Sequence, residues 1–366
     1  MPSYVQTPAI PHPAPPLDAL HQSLECQGWS IPKSALIAMA DTGLAHWHVR
    51  IRRPRGDWVA RIPKQSQMQL SAHDNLSYQS TCFERAQASG HTPRLHGVLP
   101  CDEQLPRGAL LVEAIEGRPA KLPDDLPSLA QTLASLHHLP LPSENRRTPL
   151  MAPANPWHEM LKEIHIQASH LDAAQLNSTS LDQIHQALET LPKAISLSTI
   201  GLISFDAHPG NFLIERSGRA VLVDLEKCRY SLPGFDLAHL SLYTSTTWDI
   251  NTQAVLTHAQ VISLYQHWQS CLQEHRKLFP WQELMACRRA MWLWSLTWCA
   301  KWRATNSHQV DSEHRGEDWS NRLSDDALVT HVRERVEHYL SPPVIEHVAR
   351  ELDALDQHTP SQDRAQ

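Results

Sequence analysis

The chain of 366 residues is 41% hydrophobic, enough to build a core without staples, and carries a formal charge of −7. That acidic balance argues against a dedicated nucleic-acid binder, which gathers a surplus of Lys and Arg on one face; the runs Arg50 to Arg55 and Arg288 to Ala290 are too short to supply one. The 7 cysteines are scattered and never form a CxxC pair, which suits reduced thiols and a cytoplasmic location and indicates neither a disulfide framework nor a zinc ribbon.

The opening "MPSYVQTPAIPHPAPPLDAL" has no basic or apolar leader pattern, and its prolines predict a mobile tail over residues 1–20. No run of apolar residues is long enough to predict a membrane span. "SALIAMADTGLAHWHVRIRR" and "DWVARIPK" read as strands punctuated by the Asp41 to Gly43 turn and by "PRGD". "SAHDNLSYQSTCFERAQASG" places Leu76, Cys82, Phe83 and Ala86 at helical spacing, with Ser71 as N-cap and Gly90 as stop. "PRLHGVLP" and "GALLVEAIEG" predict two further strands, completing a small β-rich lobe over residues 21–112.

From Leu126 the period changes. "LPSLAQTLASLHHL" is amphipathic, and helical patterns run from Trp157 to Leu191, Thr252 to Glu274 and Leu284 to Arg303. These predict a larger, mostly helical lobe over 113–352, followed by a mobile tail over 353–366. The fold class is therefore α+β.

Between the helices lies "SFDAHPGNFLIERSGRAVLVDLEKC", where "NFLIE" and "AVLVD" flank the turn "RSGR" as a hairpin would. Such a hairpin returns Asp224 to the end that carries Asp206 and Asn211. Two carboxylates and an amide there suit phosphoryl transfer, which needs a carboxylate to orient a hydroxyl and oxygen ligands for Mg²⁺. The bland alternative is an Asx-rich turn with an acidic strand end. His208 reads as a loop-packing residue, and His46/His48 and His137/His138 lack a third ligand at a zinc spacing. Trp294, Trp298 and Trp302 form one helical stripe, read first as core and second as a face for a cationic substrate.

The segments "SFDAHPGN", "VDLE" and "PGFDLAHL", with "LLVEAIEGRP" and "LAQTLASLHHLPL" upstream, resemble the aminoglycoside phosphotransferase and choline kinase superfamily. That resemblance implies a two-lobed protein-kinase-like fold and a kinase moving the γ-phosphoryl group of ATP or GTP to a small-molecule hydroxyl, with cationic acceptors among the candidates. It implies Asp206 as the catalytic carboxylate, Asn211 and Asp224 as Mg²⁺ ligands, and Asp236 as the brace of the catalytic loop. Arg61 takes the place of the strand lysine that holds phosphates, with Lys64 expected on the opposite strand face. Gln79, or else Glu84, falls where the family has its paired glutamate. Gly43 belongs to the phosphate loop, and the backbone from Glu113 to Ile115 is expected to hold the nucleobase. Ser204 stands where the family has a loop-ordering histidine. The rival readings are a pseudokinase or nucleotide-binding regulatory module, and a metal-assisted hydrolase.

Overall fold

A computed structural model describes residues 14–40, 45–66, 68–196, 199–272, 279–306 and 326–358. The chain divides into two compact units. The first comprises Met1–Leu76, His96–Val112 and Ser312–Val332. Its elements are helix α1 (Leu17–Cys26), strands β1 (Leu36–Ala38), β2 (His46–Ile51) and β3 (Trp58–Pro63), the start of helix α2 (Ala72–Ala86), and strands β4 (Leu95–Leu99) and β5 (Ala109–Glu113).

The strands form a sheet in the order β1-β2-β3-β5-β4. β2 and β3 pair antiparallel from His46↔Pro63 to Ile51↔Trp58, and the period of two sorts their side chains by face. Val49, Ile51, Trp58, Ala60 and Ile62 join Leu20, Leu24, Leu99 and Leu111 in a core, while His46, His48, Arg50 and Arg61 alternate onto the other face. Gly108 has φ +62°, and a Cβ there would lie 2.5 Å from the Leu99 carbonyl oxygen, so only glycine fits this turn.

The second unit comprises Ser77–Leu95, Glu113–Asp311 and Arg333–Gln366. It adds β6 (Gly117–Pro119), α3 (Leu126–His137), α4 (Pro156–Ala168), α5 (Ser178–Thr190), β7 (Gly201–Ile203), β8 (Phe212–Glu215), β9 (Ala220–Leu222), β10 (Arg229–Ser231), α6 (Pro233–Ser241), α7 (Tyr243–Thr246), α8 (His258–Cys271), α9 (Trp281–Asn306), the end of α10 (Asp326–Tyr339), from Arg333 on, and α11 (Pro342–Asp356). α3 buries Leu126, Leu129, Ala130, Leu133, Leu136 and His137, the stripe its sequence period demands. α6 approaches α9 closely because Gly234 has no side chain: a Cβ there would lie 2.8 Å from the Cβ of Cys287. Among the described residues no helix is long and apolar enough to cross a membrane.

Three expected boundaries shift. The N-terminal tail ends sooner, because α1 starts at Leu17 and buries Leu20 and Leu24. The C-terminal tail starts later, because α11 continues to Asp356, Leu355 is buried, and its carbonyl accepts the Trp281 indole N–H at 2.9 Å. Residues 77–95, placed by sequence in the β-rich lobe, belong to the helical unit. The Tyr78 hydroxyl donates to the Cys228 carbonyl at 2.8 Å, and Arg85 donates to the carbonyls of Arg146, Arg147 and Thr148, which ties most of α2 there.

Candidate active site

β7 is a buried strand that delivers the chain into the loop Ser204 to Asn211, closed by a single helical turn at Pro209–Asn211 before β8 begins. Phe205 takes a left-handed backbone conformation, φ +59°. The loop is held from below by Asp236, fully buried in the first turn of α6. The N–H groups of Ser204 and Phe205 donate to its Oδ2 and Oδ1 at 2.7 and 2.8 Å. The Trp268 indole N–H donates to His137 Nδ1 at 3.1 Å, so the imidazole proton sits on Nε2, which donates to Asp236 Oδ2 at 2.9 Å. A histidine does order this loop, although Ser204 occupies the expected position: it comes from α3. The Ser204 hydroxyl accepts the Asp206 N–H at 3.3 Å.

The expected hairpin is present, with Phe212↔Leu222 and Ile214↔Ala220 in register and β6 added on the outside of β8. The Asn211 side-chain amide donates to the Asp206 carbonyl at 2.8 Å, and the Val223 N–H donates to the Asn211 carbonyl at 2.9 Å. The backbone of Asp206, Asn211 and the residue preceding Asp224 is thereby linked.

Asp206 Oδ2 accepts from Lys227 Nζ at 2.9 Å, and both side chains are mostly buried. Among the described residues no hydrogen bond engages Oδ1. Burial acts to raise the Asp206 carboxyl, but the Lys227 ammonium, followed by the His208 and His239 imidazoles, outweighs it and holds the group well below the usual carboxylate range. Burial acts to lower Lys227, yet the carboxylates of Asp206, Glu226 and Asp224 hold its ammonium above the usual lysine range. Burial likewise brings His239 down to about 4.

With its amide nitrogen committed to the loop, Asn211 has its Oδ1 to offer a cation, and Asp224 adds a half-buried carboxylate. Two hard oxygen donors on one hairpin end fit Mg²⁺, which takes one or two protein ligands and completes its shell with water and phosphate.

The residues expected on the nucleotide side lie as follows. Arg61 is buried on the polar face of the first unit, in register with His48. Lys64 points the other way, its ammonium 5.8 Å from the centre of the Trp47 ring. Gln79 belongs to the second unit, where its amide donates to Glu226 Oε2 at 3.5 Å. The Glu113 N–H is used by the Arg94 carbonyl at 2.9 Å, whereas among the described residues no hydrogen bond engages the N–H of Ile115. Gly43 lies outside the described residues.

The tryptophan stripe separates into different roles. Trp302 is buried, Trp298 stands edge-on to Trp248 at 6.0 Å, and the Trp294 indole donates to Glu163 Oε2 at 3.0 Å. His208 packs in the loop with its ring 6.2 Å from that of His239. Sequence reasoning missed Lys227, whose only signal was a lone cation three residues beyond Asp224, and it missed His137 and Trp268 as loop anchors.

Comparison with solved structures shows the same two-lobed, protein-kinase-like fold. A Ralstonia eutropha JMP134 protein described as a candidate aminoglycoside phosphotransferase superposes with a TM-score of 0.60 at 12% identity, over 88% of this chain and 98% of that one. Choline kinase from Cryptosporidium parvum Iowa II gives 0.55 at 13% identity, over 92% and 98%. The ADP-bound aminoglycoside phosphotransferase APH(2'')-Ib gives 0.51 at 14% identity, over 90% and 98%. Among curated proteins, none matches by sequence. Residues 42–272, more than half of the chain, match the model described as the phosphotransferase enzyme family, and the chain belongs to that family.

Proposed function

We propose that the protein is a small-molecule kinase that moves the γ-phosphoryl group of a nucleoside triphosphate to a hydroxyl. The observation that carries this reading is the state of Asp206: one oxygen is fixed by Lys227, and Oδ1 remains to accept a hydrogen bond from an incoming hydroxyl. A carboxylate held so far below neutrality is a weak base, so its work is to orient the hydroxyl and to receive the proton as the new bond forms. Lys227 fixes the carboxylate plane and keeps it ionised.

Asn211 and Asp224 would hold Mg²⁺, which when bound neutralises charge on the phosphate oxygens. Within the first unit, the family resemblance makes Arg61 the candidate for binding nucleotide phosphate. An ADP complex is known for a protein of this fold, and the Ile115 N–H supports adenine. Adenine N1 accepts a hydrogen bond there, whereas guanine N1 is protonated, so ATP is the expected donor and GTP the weaker one. The acceptor is a small hydroxyl compound. The exposed parts of Trp248 and Trp298, with Asp249 against the catalytic loop at Gly210, favour an acceptor with a cationic group.

ADP release from Mg²⁺-ATP, measured with choline, ethanolamine, thiamine, homoserine, glucosamine and spectinomycin, tests this reading. One or more of these acceptors should accelerate it over water. Asp206→Asn should lower turnover by about 10²-fold or more with ATP binding retained, and Asp224→Ala should weaken Mg²⁺-ATP binding as well. ATP binding with no turnover toward any acceptor would favour the regulatory-module reading, for which Ser204 and Gln79 speak; release stimulated by none of them yet abolished in Asp206→Asn would favour a hydrolase.

A further inference from the structure

We infer that Arg229 is a positioning residue for Asp206, acting through the ring of Phe205. The inference rests on the reading of Asp206 as the carboxylate that orients the acceptor. Phe205 immediately precedes it and holds φ +59°, a conformation in which a bulky side chain crowds its own backbone and which persists only where the surroundings over-determine it.

Those surroundings are specific. The Arg229 guanidinium lies 3.6 Å from the centre of the Phe205 ring. Its NH1 donates to Glu163 Oε1 at 2.6 Å, and the second oxygen of that carboxylate accepts the Trp294 indole N–H at 3.0 Å. The Trp294 ring in turn meets Phe205 edge-on at 5.5 Å, and Phe235 meets it edge-on at 6.5 Å. Side chains from α6, α9 and β10 thus surround one buried ring, and Glu163 of α4 ties two of them together. Arg229 also pairs with Ile203 across β10 and β7, so the residue that clamps the ring stands opposite the strand end that launches the loop. Among the described residues no hydrogen bond engages its buried Nε, and its face lies over the ring.

A residue that merely packs would change stability and leave the loop geometry alone. A clamp behaves differently: releasing it lets the Ser204 to Asp206 backbone relax, and the carboxylate loses its aim. Glycine adopts the left-handed conformation without strain, so in a Phe205→Gly background the clamp has nothing left to hold.

The test uses the full chain as wild type, Arg229→Met, Arg229→Lys, Phe205→Gly and the double variant Phe205→Gly/Arg229→Met. Amide hydrogen exchange at Ser204 and Phe205 and ADP release from Mg²⁺-ATP with water as acceptor are measured in each. Arg229→Met should raise exchange at both amides about tenfold and lower kcat about tenfold, with the KM for ATP and the exchange of Ile214 in β8 unchanged. In the Phe205→Gly background the same substitution should cost less than about twofold. Arg229→Lys keeps a charge beside Glu163 but not the flat face, and should reproduce the faster exchange even if Arg229→Met does not fold. Wild-type exchange in Arg229→Lys, or equal losses in both Phe205 backgrounds, would overturn the inference. Asp206→Asn separates the two levels: wild-type turnover in it removes the reading of Asp206, while the exchange measurements still decide whether the clamp exists.

Discussion

Asp236→Ala is the sharpest probe of how the Ser204 to Asn211 loop is held. The wild-type carboxylate accepts hydrogen bonds from the Ser204 N–H, the Phe205 N–H and His137 Nε2, at 2.7, 2.8 and 2.9 Å, and it is fully buried. Alanine leaves all these donors without an acceptor in a site closed to solvent. Each orphaned buried donor costs about 1–3 kcal/mol, and neighbours in one network are not independent, so the loss should be about 3–6 kcal/mol. That is a large part of the ~5–15 kcal/mol that keeps a protein folded. Urea unfolding followed by far-UV circular dichroism measures it directly, and Asp236→Asn, which keeps one acceptor oxygen, should fall between the two. An Asp236→Ala midpoint corresponding to a loss below about 0.5 kcal/mol would refute the claim that this carboxylate anchors the loop.

Two further outcomes are expected. Lys227→Met removes the largest influence that lowers the Asp206 carboxyl while burial still raises it, so turnover should acquire an acid limb, falling as pH drops through mildly acidic values, where the wild type stays flat. A pH–rate profile unchanged by the substitution would contradict the pairing. The sign of the stability effect follows from the same shifts. The lowered Asp206 contributes stability that is complete above its unfolded value near 3.8 and lost only as pH falls through its lower folded value; the raised Lys227 contributes stability complete below 10.5 and lost as pH rises through its higher folded value. Truncation before Asp353 removes buried Leu355 and the acceptor of the Trp281 indole, for a loss of about 3 kcal/mol, visible as a lower melting temperature.

The hairpin and its polar residues were legible in the sequence because everything that builds them is local. "NFLIE" and "AVLVD" alternate with period two around a glycine turn, and the loop and strand end that carry Asp206, Asn211 and Asp224 flank that turn. The helical unit was legible from stripes such as that of α3. The anchors were not. His137 reaches Asp236 across 99 residues, Trp268 reaches His137 across 131, and Glu163 reaches Arg229 across 66. No periodicity records a bond between a histidine on one helix and an aspartate at the start of another. The tail boundaries failed for a related reason: Leu20 and Leu355 are apolar residues in polar or proline-rich surroundings, and their burial depends on elements distant in sequence.

The hydrogen bonds beneath the loop also bear on the order in which the site comes together. Closing a chain segment costs entropy that grows with its length, so contacts between distant residues are made after local ones. β8 and β9 turn within a few residues and carry Asn211 and Asp224 with them at an early stage. The His137–Asp236 and Trp268–His137 contacts wait until α3, α6 and α8 have met. A half-folded chain would therefore possess its hairpin without a fixed loop, with the long-range contacts that fix the loop forming later.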